Sequence, residues 1–276
     1  MIYWASGLAG LLLLGVLAWL LATERKRRCI AEQLLATADE KLEDMQRKFE
    51  RFASPDVVER LTDTADAYTP ERRRVTMLFA DLRGFTALCD QHDPGVAVRI
   101  LNDYFRHMSL AIDRHHGHVT EFVGDGLLAL FGATEANPWQ ERDAVLAAQA
   151  MRSELAVCNA SLRDRGLPEL RFGIGIHCGE VVAGVIGTAG LSKFSVTGDP
   201  INVASRVEGL TSQYQVDLLI TEDIRRALDE SFRLRAMPPA LVKGKTEPIQ
   251  TYYVEPEAPG PLASLSQGTP RRGQIS

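Results

Sequence analysis

Val119-Thr120-Glu121-Phe122-Val123-Gly124-Asp125-Gly126-Leu127-Leu128-Ala129-Leu130-Phe131 consists of two short β-prone runs around Gly124-Asp125-Gly126. Glycine and aspartate accept the backbone of a tight turn, so the stretch predicts strand, turn, strand. Upstream, Val75-Thr76-Met77-Leu78-Phe79-Ala80-Asp81 is a third strand-like run, and it ends on a carboxylate. Between them, Pro94 to His115 has helical period. Val96, Ile100, Leu101, Tyr104, Phe105, Met108 and Ile112 share one face, and Gly117 is expected to close the helix. Downstream, a helix is predicted from Pro138 to about Arg165, with Val145, Ala148, Met151, Leu155 and Cys158 as its buried stripe. Strands over Phe172–His177 and Val181–Ile186 follow. The order β-α-β-β-α-β is a split βαβ arrangement, so the expected class is α+β with a ferredoxin-like core. A strand near Lys193–Val196, a helix from Ile201 to about Thr211, and strands near Leu218–Thr221 and Tyr252–Val254 extend it.

Of the chain's 276 residues, 45% are apolar and 24% charged, which excludes a wholly disordered, collagen-like or multi-span membrane protein. The 31 Lys and Arg against 36 Asp and Glu give a net charge of -5, which argues against nucleic acid as a partner. Cys29, Cys89, Cys158 and Cys178 are scattered, with no CxxC pair, and read as reduced thiols of a cytosolic domain.

The N-terminal part has its own pattern. Residues 2–22 carry no charge, and at about 1.5 Å per helical residue they reach roughly 31 Å, the thickness of a bilayer core. Trp4 and Trp19 stand near the two ends, and Glu24-Arg25-Lys26-Arg27-Arg28 follows, which places the remainder on the cytoplasmic side. A cleaved signal peptide is the weaker reading, because the basic cluster follows the apolar run instead of preceding it. Ala31, Leu35, Ala38, Leu42, Met45, Phe49 and Phe52 then form a heptad seam, which needs a second copy of the chain or the face of the next domain to bury it. The expected division is a transmembrane anchor at 1–23, a coiled-coil stalk and linker at 24–69, a catalytic domain at 70–255, and a disordered Pro/Gly/Ser-rich tail at 256–276. The expected location is the plasma (inner) membrane, single-pass, with the catalytic domain in the cytoplasm.

Two aspartates carry the first sign of chemistry. Asp81 ends one strand and Asp125 sits at the tip of the hairpin, and in a split βαβ sheet these strands are neighbours. Paired carboxylates with a gap between them suit Mg²⁺ or Mn²⁺, which prefer oxygen ligands. Taken singly, each reads equally as a turn residue. Gly84-Phe85-Thr86 adds a turn whose backbone N–H groups face an anion at a helix start.

With these residues in place, the sequence resembles the catalytic domain of the class III nucleotide (adenylate and guanylate) cyclases, and with its anchor the membrane-tethered bacterial kind. The resemblance rests on five ordered segments: Leu78–Thr86, Phe122–Gly132, Gly175–Gly184, Gly198–Arg206 and Val242-Lys243-Gly244-Lys245. It implies a homodimer with active sites shared between two chains and a nucleoside triphosphate as substrate. Asp81 and Asp125, helped by the carbonyl of Leu82, would hold two Mg²⁺ or Mn²⁺ ions. From the other chain, Asn202 would orient the ribose, Arg206 would stabilise charge at the α-phosphate, and Lys243 would neutralise the outer phosphates. The product would be a 3′,5′-cyclic monophosphate, with pyrophosphate leaving.

The base-reading positions depart from the adenylate pattern. That pattern has lysine four residues before the second metal aspartate, where this chain has Glu121. It has aspartate or threonine seven residues before the asparagine, where this chain has Ser195. Guanine presents N1–H and an amino group as donors, which a carboxylate accepts, whereas adenine offers a lone pair to it. Glu121 therefore favours GTP, and Ser195 is neutral between bases. ATP, a pyrimidine, or a catalytically silent nucleotide-binding sensor remain alternative expectations, as does an anchored scaffold whose stalk only dimerises.

Overall fold

The computed structural model describes residues 70–188, 191–243 and 247–256, together with Lys41. The chain divides into two units, Met1–Thr62 and Asp63–Ser276, and the architecture below belongs to the second. The expected membrane span, the stalk, the tail beyond Pro256 and Gly244-Lys245 lie outside the described residues. Among the described residues no helix is long and apolar enough to cross a membrane.

Strand β1 (Glu71–Leu82) lies antiparallel to β3 (Gly126–Phe131) on one side and to β4 (Phe172–Thr188) on the other. With β2 (Gly117–Val123) beyond β3, the order β2-β3-β1-β4 is that of the expected split βαβ core. The sheet continues as β6 (Leu218–Thr221), β8 (Thr251–Val254) and β7 (Leu234–Ala236), while β5 (Leu191–Thr197) pairs with the far half of β4 as a ribbon. One face is covered by α2 (Pro94–Asp113) and α3 (Gln140–Asp164). Ile100, Tyr104, Met108, Ile112, Val145, Ala148 and Met151 are fully buried there, as their helical spacing requires. The other face takes α4 (Asp199–Tyr214), whose Ala204 joins Val75, Met77, Leu128, Leu130 and Val181. Two short helices, α1 (Phe85–Gln91) and α5 (Glu222–Arg225), complete the described elements.

Two expected boundaries fall differently, and glycines there serve packing. Phe172–His177 and Val181–Ile186 form one strand of 17 residues instead of two. Gly179 does not turn the chain; a methyl there would lie 2.6 Å from Pro200 Cγ at the start of α4. Gly117 is likewise not the helix cap. His116 takes the left-handed conformation, φ 58°, and Gly117 begins β2, where a side chain would meet Phe131 at 2.4 Å. In the hairpin the positive φ is at Gly124, 63°, so the loop has the first-position glycine of a type II′ turn and not a left-handed Gly126.

The approach of α4 to β4 depends on Gly173 and Gly175. A methyl on Gly175 would stand 2.1 Å from the backbone N of Glu208 and 2.7 Å from the carbonyl of Ala204. Gly175→Ala is therefore expected to cost about 1–3 kcal/mol through overpacking against a helix backbone that cannot rotate away. Its urea midpoint should fall, whereas Gly209→Ala, with nothing within 4 Å, should leave it level or raise it. Equal midpoints would mean that α4 is not seated on this strand.

Candidate active site

Asp81 is the penultimate residue of β1, on the sheet face that carries α4. Its carboxylate reaches across to the hairpin, where a methyl on Gly126 would lie 2.7 Å from Asp81 Oδ1 and 3.0 Å from the carbonyl of Ala80. A side chain at 126 would thus displace the Asp81 carboxylate and press on the Ala80 carbonyl. Asp125 precedes it at the turn, half-buried. Burial first, and then the charge of Asp125, push the Asp81 carboxyl above its usual range, against the backbone N–H of Leu82, which donates to it. The structure therefore brings Asp81 and Asp125 together. Leu82 is buried by its side chain and leaves only its backbone for a ligand.

Residues 84–86 divide differently. Gly84, φ 72°, caps α1, and Phe85 is 8% exposed and packed into the core, so only its backbone faces outward chemistry. Thr86 is exposed.

A second group rides on α4 and its neighbours. Asn202 is exposed and Arg206 half-buried, four residues apart on one face of the helix. The Nη1 of Arg206 is buried and has no hydrogen-bond partner. Lys243 is exposed, and Val242 beside it packs in one cluster with Val203, Val207 and Leu210 of α4, which fixes Lys243 near the same helix. Ser195 is half-buried on β5 opposite Gly184. Its neighbour Val196 faces the α4 side, so Ser195 faces the other side of the ribbon. Glu121 pairs with Leu128, whose side chain lies in the α4-side cluster, so Glu121 looks out on the same face as Asp81, just past a bulge in β2.

One carboxylate was missed in the sequence. Glu208 lies two residues beyond Arg206. Burial, followed by the charges of Asp81 and Asp125, raises it to about 7, against the charge of Arg83. The available signal was Gly173-Ile174-Gly175: glycines at alternate positions clear one face of a strand for a helix.

The donors fit hard divalent cations. Asp81 and Asp125 are oxygen ligands and a cation between them would offset the charge that raises Asp81, while among the described residues no three His, Cys, Asp or Glu side chains form a ligand set. The remaining ligands would come from the backbone, from water and from a bound phosphate.

A family model described as the adenylate and guanylate cyclase catalytic domain matches residues 67–256, and the chain belongs to that family. Among curated relatives, an adenylate cyclase of Anabaena cylindrica is 37% identical over 224 residues, 78% of this chain and 44% of that protein. Adenylate cyclase 1 of Rhizobium meliloti is 31% identical over 183 residues, 66% of this chain and 28% of that one. The chain therefore spans less than half the length of these two relatives. Among solved structures, the guanylyl cyclase Cya2 superposes with a TM-score of 0.62 at 33% identity, covering 68% of this chain and 94% of that one. The adenylyl cyclase CyaB from P. aeruginosa gives 0.65 at 27% identity, covering 69% and 97%.

Proposed function

We propose that this protein is a membrane-anchored nucleotide cyclase, a phosphorus–oxygen lyase that converts a nucleoside triphosphate to its 3′,5′-cyclic monophosphate and pyrophosphate, with GTP preferred. The observation that carries the reading is that Asp81, near the end of β1, reaches the hairpin at Gly126, next to Asp125. Two Mg²⁺ or Mn²⁺ ions, when bound, supply Lewis acidity at the ribose 3′-hydroxyl and neutralise charge on the triphosphate. Asp81, Asp125 and the Leu82 carbonyl would hold them. Asn202 orients the ribose, so that its 3′-oxygen, having lost its proton to water, lies in line with the α-phosphorus. The new bond forms there while the bond to the bridging oxygen breaks and pyrophosphate leaves. Arg206, with a guanidinium nitrogen still unpartnered, meets the charge on the α-phosphate, and Lys243 meets the outer phosphates. Asn202 and Arg206 share one face of α4 and Lys243 stands near that helix; in a homodimer one chain would lend these three to a site whose aspartates belong to the other.

Glu121 reads the base. A carboxylate accepts from N1–H and the amino group of guanine, while facing it with the lone pair of adenine costs about 1–3 kcal/mol. The adenylate cyclases among the relatives favour ATP as the second reading. The anchor at residues 2–22 would hold the domain on the cytoplasmic face of the plasma membrane, and release of the full chain by an alkaline carbonate wash would count against it.

Incubating the full chain with each of the four nucleoside triphosphates and Mg²⁺ or Mn²⁺, with products read by mass, tests the whole reading. Cyclic GMP in clear excess over the other three products is expected. Four blank channels from a folded dimer would reduce the protein to a silent nucleotide-binding sensor.

A further inference from the structure

Asp81 has an acidic neighbour on each side. Towards the hairpin, its Oδ1 lies against Gly126, next to Asp125. On the other side Asp81 is paired with Gly173 of β4, and residues paired across an antiparallel ladder project to the same face about 4.5–5.5 Å apart. The side chain that would stand there is missing, and α4 fills its place. A methyl on Gly173 would meet Thr211 Oγ1 at 2.2 Å and Glu208 Oε1 at 2.5 Å. The Glu208 carboxylate thus occupies the position beside Asp81. Asp81, Asp125 and Glu208 therefore gather around one strand end, although no three acidic, His or Cys side chains form a ready ligand set among the described residues.

We propose that Glu208 is a positioning residue for the cation site: seated on Gly173, it stands behind Asp81 without ligating the metal, and its negative charge strengthens divalent-cation binding at Asp81 and Asp125. The proposal deepens the cyclase reading and rests on it. Because Glu208 shares α4 with Asn202 and Arg206, the same contact ties a protomer's own cation site to the helix it lends to the other site.

The test measures Mn²⁺ binding to the full chain without nucleotide, by following free Mn²⁺ in electron paramagnetic resonance. Glu208→Gln keeps size and hydrogen bonding and should raise the Mn²⁺ Kd about 10–100-fold, the usual effect of losing a group that supports a metal ligand. Glu208→Asp, which keeps the charge but draws it back, should fall between the two. The cyclase defect of Glu208→Gln should shrink with excess Mn²⁺, which a purely structural defect would not do. An unchanged Kd in Glu208→Gln, with binding lost in Asp81→Asn, overturns the role of Glu208 and leaves the cyclase reading standing. Undiminished Mn²⁺ binding in Asp81→Asn overturns the reading beneath it. Should Glu208→Gln fail to fold, a wild-type Kd in Glu208→Asp overturns the proposal.

Discussion

Asp81→Ala is expected to abolish cyclic nucleotide formation, by about 1,000-fold or more, while the protein still folds and dimerises. Loss of a group that merely supports a metal ligand costs 10–100-fold, so loss of the ligand itself costs more. The fold should survive because Asp81 is at the exposed end of β1, beyond the buried run Val75–Leu78 that holds the sheet together. Removing one of two crowded carboxylates also relieves repulsion, so the melting temperature should hold or rise. A variant that keeps substantial activity would take Asp81 out of the site. The same variant tests the shared geometry. Arg206→Ala should be inactive by itself, and random mixing with Asp81→Ala chains should return about one quarter of wild-type activity, since half the dimers then carry one intact site of two. Mixed dimers that form and remain inactive would place both groups in one chain.

Glu121→Lys is expected to invert the base preference. The ammonium faces guanine N1–H donor to donor and adenine N1 donor to acceptor. Each mismatch of this kind costs about 1–3 kcal/mol, so kcat/KM for GTP should fall roughly five- to 150-fold while that for ATP rises. Stability should hardly change, because Glu121 is an exposed strand residue whose partner Leu128 keeps its own packing. An unaltered GTP-to-ATP ratio would mean that the base is read elsewhere. Ser195, on the other face of the β4–β5 ribbon from Val196, is then the next position to exchange.

Legibility of the sequence followed the range of the interaction involved. The stripe Ile100, Tyr104, Met108, Ile112 predicted α2 because helix period and burial on one side are a local pattern, and all four are fully buried. Leu218–Thr221 was placed to the residue for the same reason. Gly117 was misread as a helix cap, and nothing in the local pattern shows why glycine stands at 126 and 179. A glycine's local signal is a turn, and these three each make room for a residue far away in sequence: Phe131, Asp81 and Pro200. The start of α1 was read at Gly84-Phe85-Thr86 but not its extent, because Phe85–Gln91 is only seven residues long, too few to show a period.

Most of the strands and helices, their split βαβ order and the two aspartates are legible in the chain, since each depends on side-chain chemistry within a few neighbouring residues. That Asp81 lies between Asp125 and Glu208 is a matter of packing. Those three come from a strand, a turn and a helix spread over much of the domain. They meet because Gly126 and Gly173 lack the side chains that would keep them apart, a fact of packing that no local pattern records.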